Sequence, residues 1–285
     1  SGVYVYDIEG NALSYTNLGR INNIDLREKD GTVHLVTSNR SASTLDYWLF
    51  PADDLFNYFK NKPLNSFSED IRHVHLKAGM DIYGICMGLI GGNLRAILTE
   101  EEGKTIQYWD LKAQEIIGTI DITAEETNVP LFGNEAEGCV IDDENEHIII
   151  SREGMRGILN SYDANTLEFI KVIDSRSGNI GGDPEGVTIY KTSDKEGFII
   201  LSSQGDSKFN LYNRQFPFDY VKSFTVNDVS DTDGIDVTNK AIDDLYTQGF
   251  LVVQDGYNSP DNQNFKIVDM EQVLKKKVKN PGSTD

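Results

Sequence analysis

The same short pattern returns along this chain about every fifty residues, and a repeat of that period excludes most ways of folding a polypeptide. Each unit opens with a residue followed by Gly and a short apolar run: Tyr83-Gly84-Ile85-Cys86, Glu137-Gly138-Cys139-Val140, Glu185-Gly186-Val187-Thr188 and Asp233-Gly234-Ile235-Asp236. A fifth unit, Asn22-Asn23-Ile24-Asp25, carries Asn23 in place of the Gly. A second run follows in each unit and ends before another Gly, at Gly103, Gly154, Gly205 and Gly256; in the Asn22 unit it is Val33 to Asn39.

Third runs such as Ile106 to Trp109, Ile158 to Tyr162 and Phe209 to Tyr212 alternate polar and apolar residues, as half-buried strands do. Fourth runs, Glu168 to Ile173 and Tyr220 to Val226 among them, complete the units. Helical periodicity is confined to two short segments, Ala52 to Tyr58 and Met270 to Lys276. Gly2 to Ile8 and Ala12 to Tyr15 read as a third and fourth strand with no first and second before them, and the last unit stops after its third strand. Five units and a fragment of this kind predict an all-β propeller of four-stranded antiparallel blades over residues 1–273, with 274–285 as a solvated basic tail.

In such a blade the first two strands are antiparallel, so the start of one lies beside the end of the other and both fall on one face. The residues at those places pair as Tyr83 with Glu102, Glu137 with Glu153, Glu185 with Gln204, and Asp233 with Asp255. Asp25 and Asp236 share a position two residues further on, and Asp183 sits just outside Glu185. An acid before Gly is ordinary turn chemistry, in which Gly supplies a positive φ. That accounts poorly for acids at both meeting positions, and for Glu in so many of them. Like charges held together repel unless cations neutralise them, and Ca²⁺ takes about six to eight oxygen ligands. The absence of Cys and His from these positions argues against zinc there.

The chain carries 46 acidic against 26 basic residues, a formal charge of −20, which excludes a nucleic-acid or anionic-membrane surface built on clustered Lys and Arg. No apolar run is long enough to span a bilayer. Cys86 and Cys139, each inside an apolar segment, read as buried free thiols. His73-Val74-His75 puts two imidazoles on one face of a strand, an arrangement able to bind a transition metal, but it falls where an outer strand is expected and reads instead as a solvated edge. No phosphate loop or nucleophile elbow is present, which disfavours P-loop and covalent serine chemistry.

Several segments together resemble the β-propeller phytases. They are Gly19 to Arg27, Ser38-Asn39-Arg40-Ser41, Glu137-Gly138 with Asp142-Asp143-Glu144, Asp183 to Tyr190, Ser202-Ser203-Gln204-Gly205, Ser230 to Val237 and Asn262 to Val268. The resemblance implies a six-bladed propeller, here with one blade incomplete at the N-terminus, that binds several calcium ions and hydrolyses phytate by attack of a metal-activated water. It implies metal ligands at Asp25, Glu102, Glu137, Glu153, Asp183, Glu185, Asp233 and Asp255, of which Glu137, Glu153 and Asp183 also serve catalysis with Tyr83 facing substrate. Arg40, Arg152 and Lys266 are the basic groups expected to contact phosphate oxygens, or else to form salt bridges with the same acids.

The chain departs from that family in two places. A lysine usual after Ser-Asn-Arg is replaced by Ala42-Ser43-Thr44, and one usual before the acid at Glu102 is Glu101. Both contact phosphate in the family, so their loss implies weaker activity. The family's Asp-Asp-Pro-Ala opening segment is also missing, implying a cut chain or one domain of a tandem phytase, secreted or periplasmic with its signal peptide removed. The expected function is a calcium-dependent phosphomonoesterase acting on phytate. The alternatives are a calcium-dependent lactonase, which needs one axial metal and no basic phosphate contacts, and a non-catalytic propeller that binds calcium and phosphate.

Overall fold

A computed structural model describes residues 2–52, 59, 72–124, 135–242 and 244–275. The chain divides into two compact units, Ser1–Ala124 and Glu125–Asp285. In the first, β1 (Gly2–Tyr6) and β2 (Ala12–Asn17) form a two-stranded ladder. It is followed by two four-stranded sheets in chain order: β3 (Ile21–Lys29), β4 (Thr32–Asn39), β5 (Thr44–Pro51) and β6 (Arg72–Lys77), then β7 (Ile82–Ile90), β8 (Asn93–Glu100), β9 (Thr105–Asp110) and β10 (Glu115–Asp121).

The second unit holds β11 (Ala136–Asp142), β12 (His147–Arg152), β13 (Ile158–Asp163) and β14 (Phe169–Ser175) in one sheet. A second sheet contains β15 (Asp183–Lys191), β16 (Gly197–Gln204), β17 (Lys208–Asn213) and β18 (Tyr220–Phe224), and a third contains β19 (Ile235–Thr238), β20 (Phe250–Asp255) and β21 (Asn264–Asp269). A short helix, α1 (Met270–Lys275), ends the described chain. Every ladder between these strands is antiparallel, and each sheet has the size and strand order of a propeller blade. Among the described residues the expected six blades are corrected to five, four of them four-stranded and one three-stranded, plus the separate ladder. Most of the expected helix at 52–58 and all of the tail beyond Lys275 lie outside the described residues.

The opening dipeptides are β-bulges. Register slips between Ile21 and Ile24, Ile82 and Ile85, Ala136 and Cys139, and Pro184 and Val187, so Asn22-Asn23, Tyr83-Gly84, Glu137-Gly138 and Glu185-Gly186 are the bulged residues. A buried hydroxyl from each second strand clasps the bulge. Ser38 accepts the Asn23 N–H (3.1 Å), Thr99 that of Gly84 (2.7 Å) and Ser151 that of Gly138 (2.9 Å), while Ser202 donates to the Gly186 carbonyl (3.2 Å).

These glycines answer a need for space. A Cβ on Gly138 would lie 2.4 Å from the Glu185 carbonyl oxygen, and one on Gly186 would lie 2.7 Å from that of Asp233. Neither has a positive φ, whereas the closing glycines Gly154 (98°) and Gly205 (82°) do. Gly138 and Gly186 therefore belong to close packing of one sheet's first strand on the next, and Gly154 and Gly205 to the turn.

Apolar faces of adjacent sheets fill the spaces between them. Val36, Tyr47, Met87, Ala96 and Leu98 share one cluster in the first unit, and Val140, Ile149, Val187, Ile199 and Tyr212 share another in the second. Two sequence readings are corrected. Cys86 and Cys139 are disulfide-bonded, with no free thiol. His73 is no solvated edge: its ring lies flat on Trp48, with centroids 4.4 Å apart.

One buried ion pair joins two sheets of the second unit. Arg214, just past β17, and Asp142, ending β11, both have fully buried side chains, and Arg214 Nε donates to Asp142 Oδ2 at 2.7 Å. Burial alone would raise the Asp142 pKa, but hydrogen bonds and charge from Arg214 hold it below the ordinary carboxylate range. Arg214→Ala leaves that carboxylate buried without its counter-charge, so denaturant unfolding should show a loss of about 3–5 kcal/mol.

Candidate functional site

Three glutamates from two sheets of the second unit converge. Glu137 lies in the β11 bulge, Glu185 in the β15 bulge, and Glu153 just past β12, its N–H bonded to the Glu135 carbonyl at 2.9 Å. One carboxylate oxygen from each lies within 4.8 Å of the other two. Glu137 and Glu185 are buried, at 7% and 2% exposure, so their mutual repulsion is poorly screened.

Protonation reflects this crowding. Burial, a hydrogen bond with Glu153 and the charges of Glu137, Glu153 and Asp233 push Glu185 well above the usual carboxylate range. Burial, Glu153 and Asp231 push Asp233 up as well. An all-oxygen cluster that resists ionising in its own field fits a hard divalent cation such as calcium.

The remaining sites expected in this unit are engaged otherwise. Asp183 forms an ion pair with Arg176, which also donates to the Gly154 carbonyl at 3.1 Å. Asp255 is 2% exposed, accepts the Ser230 N–H at 3.2 Å and lies 3.4 Å from Lys266 Nζ. Arg152 is fully buried.

In the first unit, Arg40 forms an ion pair with Glu101 and stacks over the Tyr83 ring, 4.7 Å from its centroid. Glu102 takes a left-handed φ of 53°. Asp25 is bonded to Arg27 at 3.0 Å and accepts the Met87 N–H at 2.8 Å, tying β3 to β7. Asp236, its counterpart in the second unit, accepts from Thr188 Oγ1 at 3.0 Å.

Comparison with known proteins decides the family. The model of the phytase family matches residues 1–282. The chain belongs to the phytase family. It is 29% identical to a 3-phytase of Bacillus subtilis (strain 168), over 96% of this chain and 74% of that protein. Membership makes it a phosphoric monoester hydrolase.

Solved structures share the fold alone. Kuenenia stuttgartiensis hydrazine synthase superposes with a TM-score of 0.54 at 14% identity, covering 90% of this chain and 65% of that one. Saccharomyces cerevisiae Sqt1 gives 0.52 at 8% identity, covering 88% and 62%. The phytase chain thus spans just under two thirds of either structure.

Sequence reasoning missed one participant, Arg176, and one pairing, that of Arg40 with Glu101. Arg176 lies in a turn outside the repeated positions, so no period marks it. The Arg40–Glu101 pair joins residues 61 apart in the chain, which no local pattern reveals.

The raised pKa values set a pH dependence for the cation-free phytase. Glu185 and Asp233 keep their protons in the folded state above the pH at which they lose them unfolded. The stability these two groups contribute is therefore fully present below the ordinary carboxylate pKa of about 4 and is lost as pH rises through the folded values. In excess chelator the melting temperature should fall steadily from about pH 5 to 8, and Glu185→Gln should flatten that slope.

Proposed function

We propose that this phytase-family chain is a calcium-dependent phosphomonoesterase that removes phosphate from phytate by attack of water at phosphorus. The convergence of Glu137, Glu153 and Glu185, with Asp233 beside Glu185 in its electrostatic neighbourhood, carries this reading. These four residues would hold the cation, the set being all-oxygen and charged beyond what a buried site tolerates alone. Calcium bound there would polarise a phosphate oxygen and lower the pKa of a coordinated water.

The chain's own groups then orient substrate and neutralise its charge. In the first unit, Arg40 would contact a phosphate oxygen with the Tyr83 ring supporting its guanidinium, which requires a phosphate dianion to displace Glu101. In the second, Lys266 would do the same against Asp255, and Arg152 would act from its buried place beside Glu153. Asp25, Glu102, Asp183 and Asp255 complete the proposed set of calcium ligands, some at ions other than the one held by the glutamates. Oxidised Cys86 and Cys139 support an oxidising compartment, hence secretion or the periplasm.

Phosphate release from phytate, measured with added calcium and with excess chelator, tests the proposal. Activity that survives verified metal removal would sink it. The pairing of Arg40 with Glu101 favours a second reading, in which phytate is bound and little is turned over.

Replacing Glu101 separates the two. Glu101→Lys frees Arg40 and adds a charge-assisted contact worth about 1.5–3 kcal/mol, so kcat/KM for phytate should rise about tenfold or more. Tighter phytate binding with no phosphate release in saturating calcium would select the binding-only reading.

A further inference from the structure

The second sheet carries a different ligand set on its outer strands. Asp46 on β5 is fully buried and directly opposite His75 on β6, while His73, two residues back, is opposite Trp48. Period-two alternation puts both imidazoles on the Asp46 side of the sheet. One donor atom from each of Asp46, His73 and His75 lies within 4.8 Å of the other two.

Their orientation is fixed from behind. Asp46 Oδ1 accepts from Thr44 Oγ1 at 2.7 Å and from His75 Nδ1 at 2.6 Å, and Oδ2 accepts from Asn39 Nδ2 at 3.0 Å. His73 lies flat on Trp48 (10° between planes) and edge-on to His75, with ring centroids 4.0 Å apart. The His75 side chain is 56% exposed, which gives an ion a path in and leaves room for a water.

We propose that Asp46, His73 and His75 form a site for a divalent first-row transition metal, with zinc as the ion whose ligand preferences match best. Two imidazoles and one carboxylate with an open fourth position is a zinc-type donor set, unlike the all-carboxylate cluster of the second unit. Thr44 and Asn39 are the outer partners that orient the carboxylate. On binding, His75 Nδ1 turns its lone pair to the metal, and its hydrogen moves to the ring's other nitrogen. The ion then pins outer strand β6 to β5. The rival explanation is a purely structural clasp, in which His75 serves only as hydrogen-bond donor to a buried carboxylate.

The test is calorimetric titration of the full chain, freed of metal and then saturated with calcium, with zinc chloride. One equivalent should bind, and His73→Phe and His75→Phe should each weaken it by more than the roughly 10–100-fold that loss of an outer-shell partner costs. Cobalt substitution should give tetrahedral visible bands that both variants lose. No one-equivalent zinc binding in saturating calcium, or binding unchanged in both variants, overturns the proposal. If His75→Phe fails to fold, His73→Phe and Asp46→Asn decide the matter, since the first leaves the Asp46–His75 hydrogen bond in place and the second keeps the shape of the carboxylate.

Discussion

The carboxylate site depends on how closely one sheet's first strand lies against the next. Gly138 and Gly186 allow that approach because they have no Cβ to strike the carbonyls of Glu185 and Asp233. The hydroxyls that clasp the bulges grip the same carbonyls: Ser151 donates to that of Glu185, and Ser202 to that of Asp233 at 2.6 Å. Glu185 and Asp233 are thus positioned by the preceding sheet's glycine and serine as much as by their own strands. Precision at the cluster follows from backbone contacts within the fold.

That arrangement has an electrostatic cost, part of which Glu185 and Asp233 relieve by holding on to their protons. Where a buried acid is meant to be ionised, as at Asp142, a buried arginine meets it in bidentate fashion. Arg176 and Lys266 likewise pair with Asp183 and Asp255. At Glu137, Glu153 and Glu185 the crowding is carboxylate on carboxylate.

Much of this was legible in the sequence, because strand period, turn glycines and an acid before Gly are all local signals. The carboxylates of Glu137 and Glu153 come within 4.8 Å of each other, as the antiparallel argument requires, and the fourth strands fall within a few residues of their expected places. The addition of Glu185 from the neighbouring sheet was less visible, since sheet-to-sheet approach is set by glycines that look like turn residues in a sequence. The disulfide state of Cys86 and Cys139 was missed because an apolar neighbourhood predicts burial and is silent on oxidation. His73 was misjudged because strand order marked it as outer, while the Trp48 that covers it lies 25 positions earlier on the paired strand. Pairings such as Arg40 with Glu101 arise from tertiary proximity, to which period and composition are blind.

The elevated pKa of Glu185 bears on what any incoming cation does to the solution around it. At neutral pH the Glu185 carboxyl keeps its proton, which a cation of the kind proposed would have to expel before all the carboxylates could turn to it. Uptake is then an exchange, two positive charges in and at least one out, so the site gains less net charge than the ion carries. Acidity and metal compete for the same oxygens, and the affinity such a site shows is a property of the medium's pH as much as of the protein.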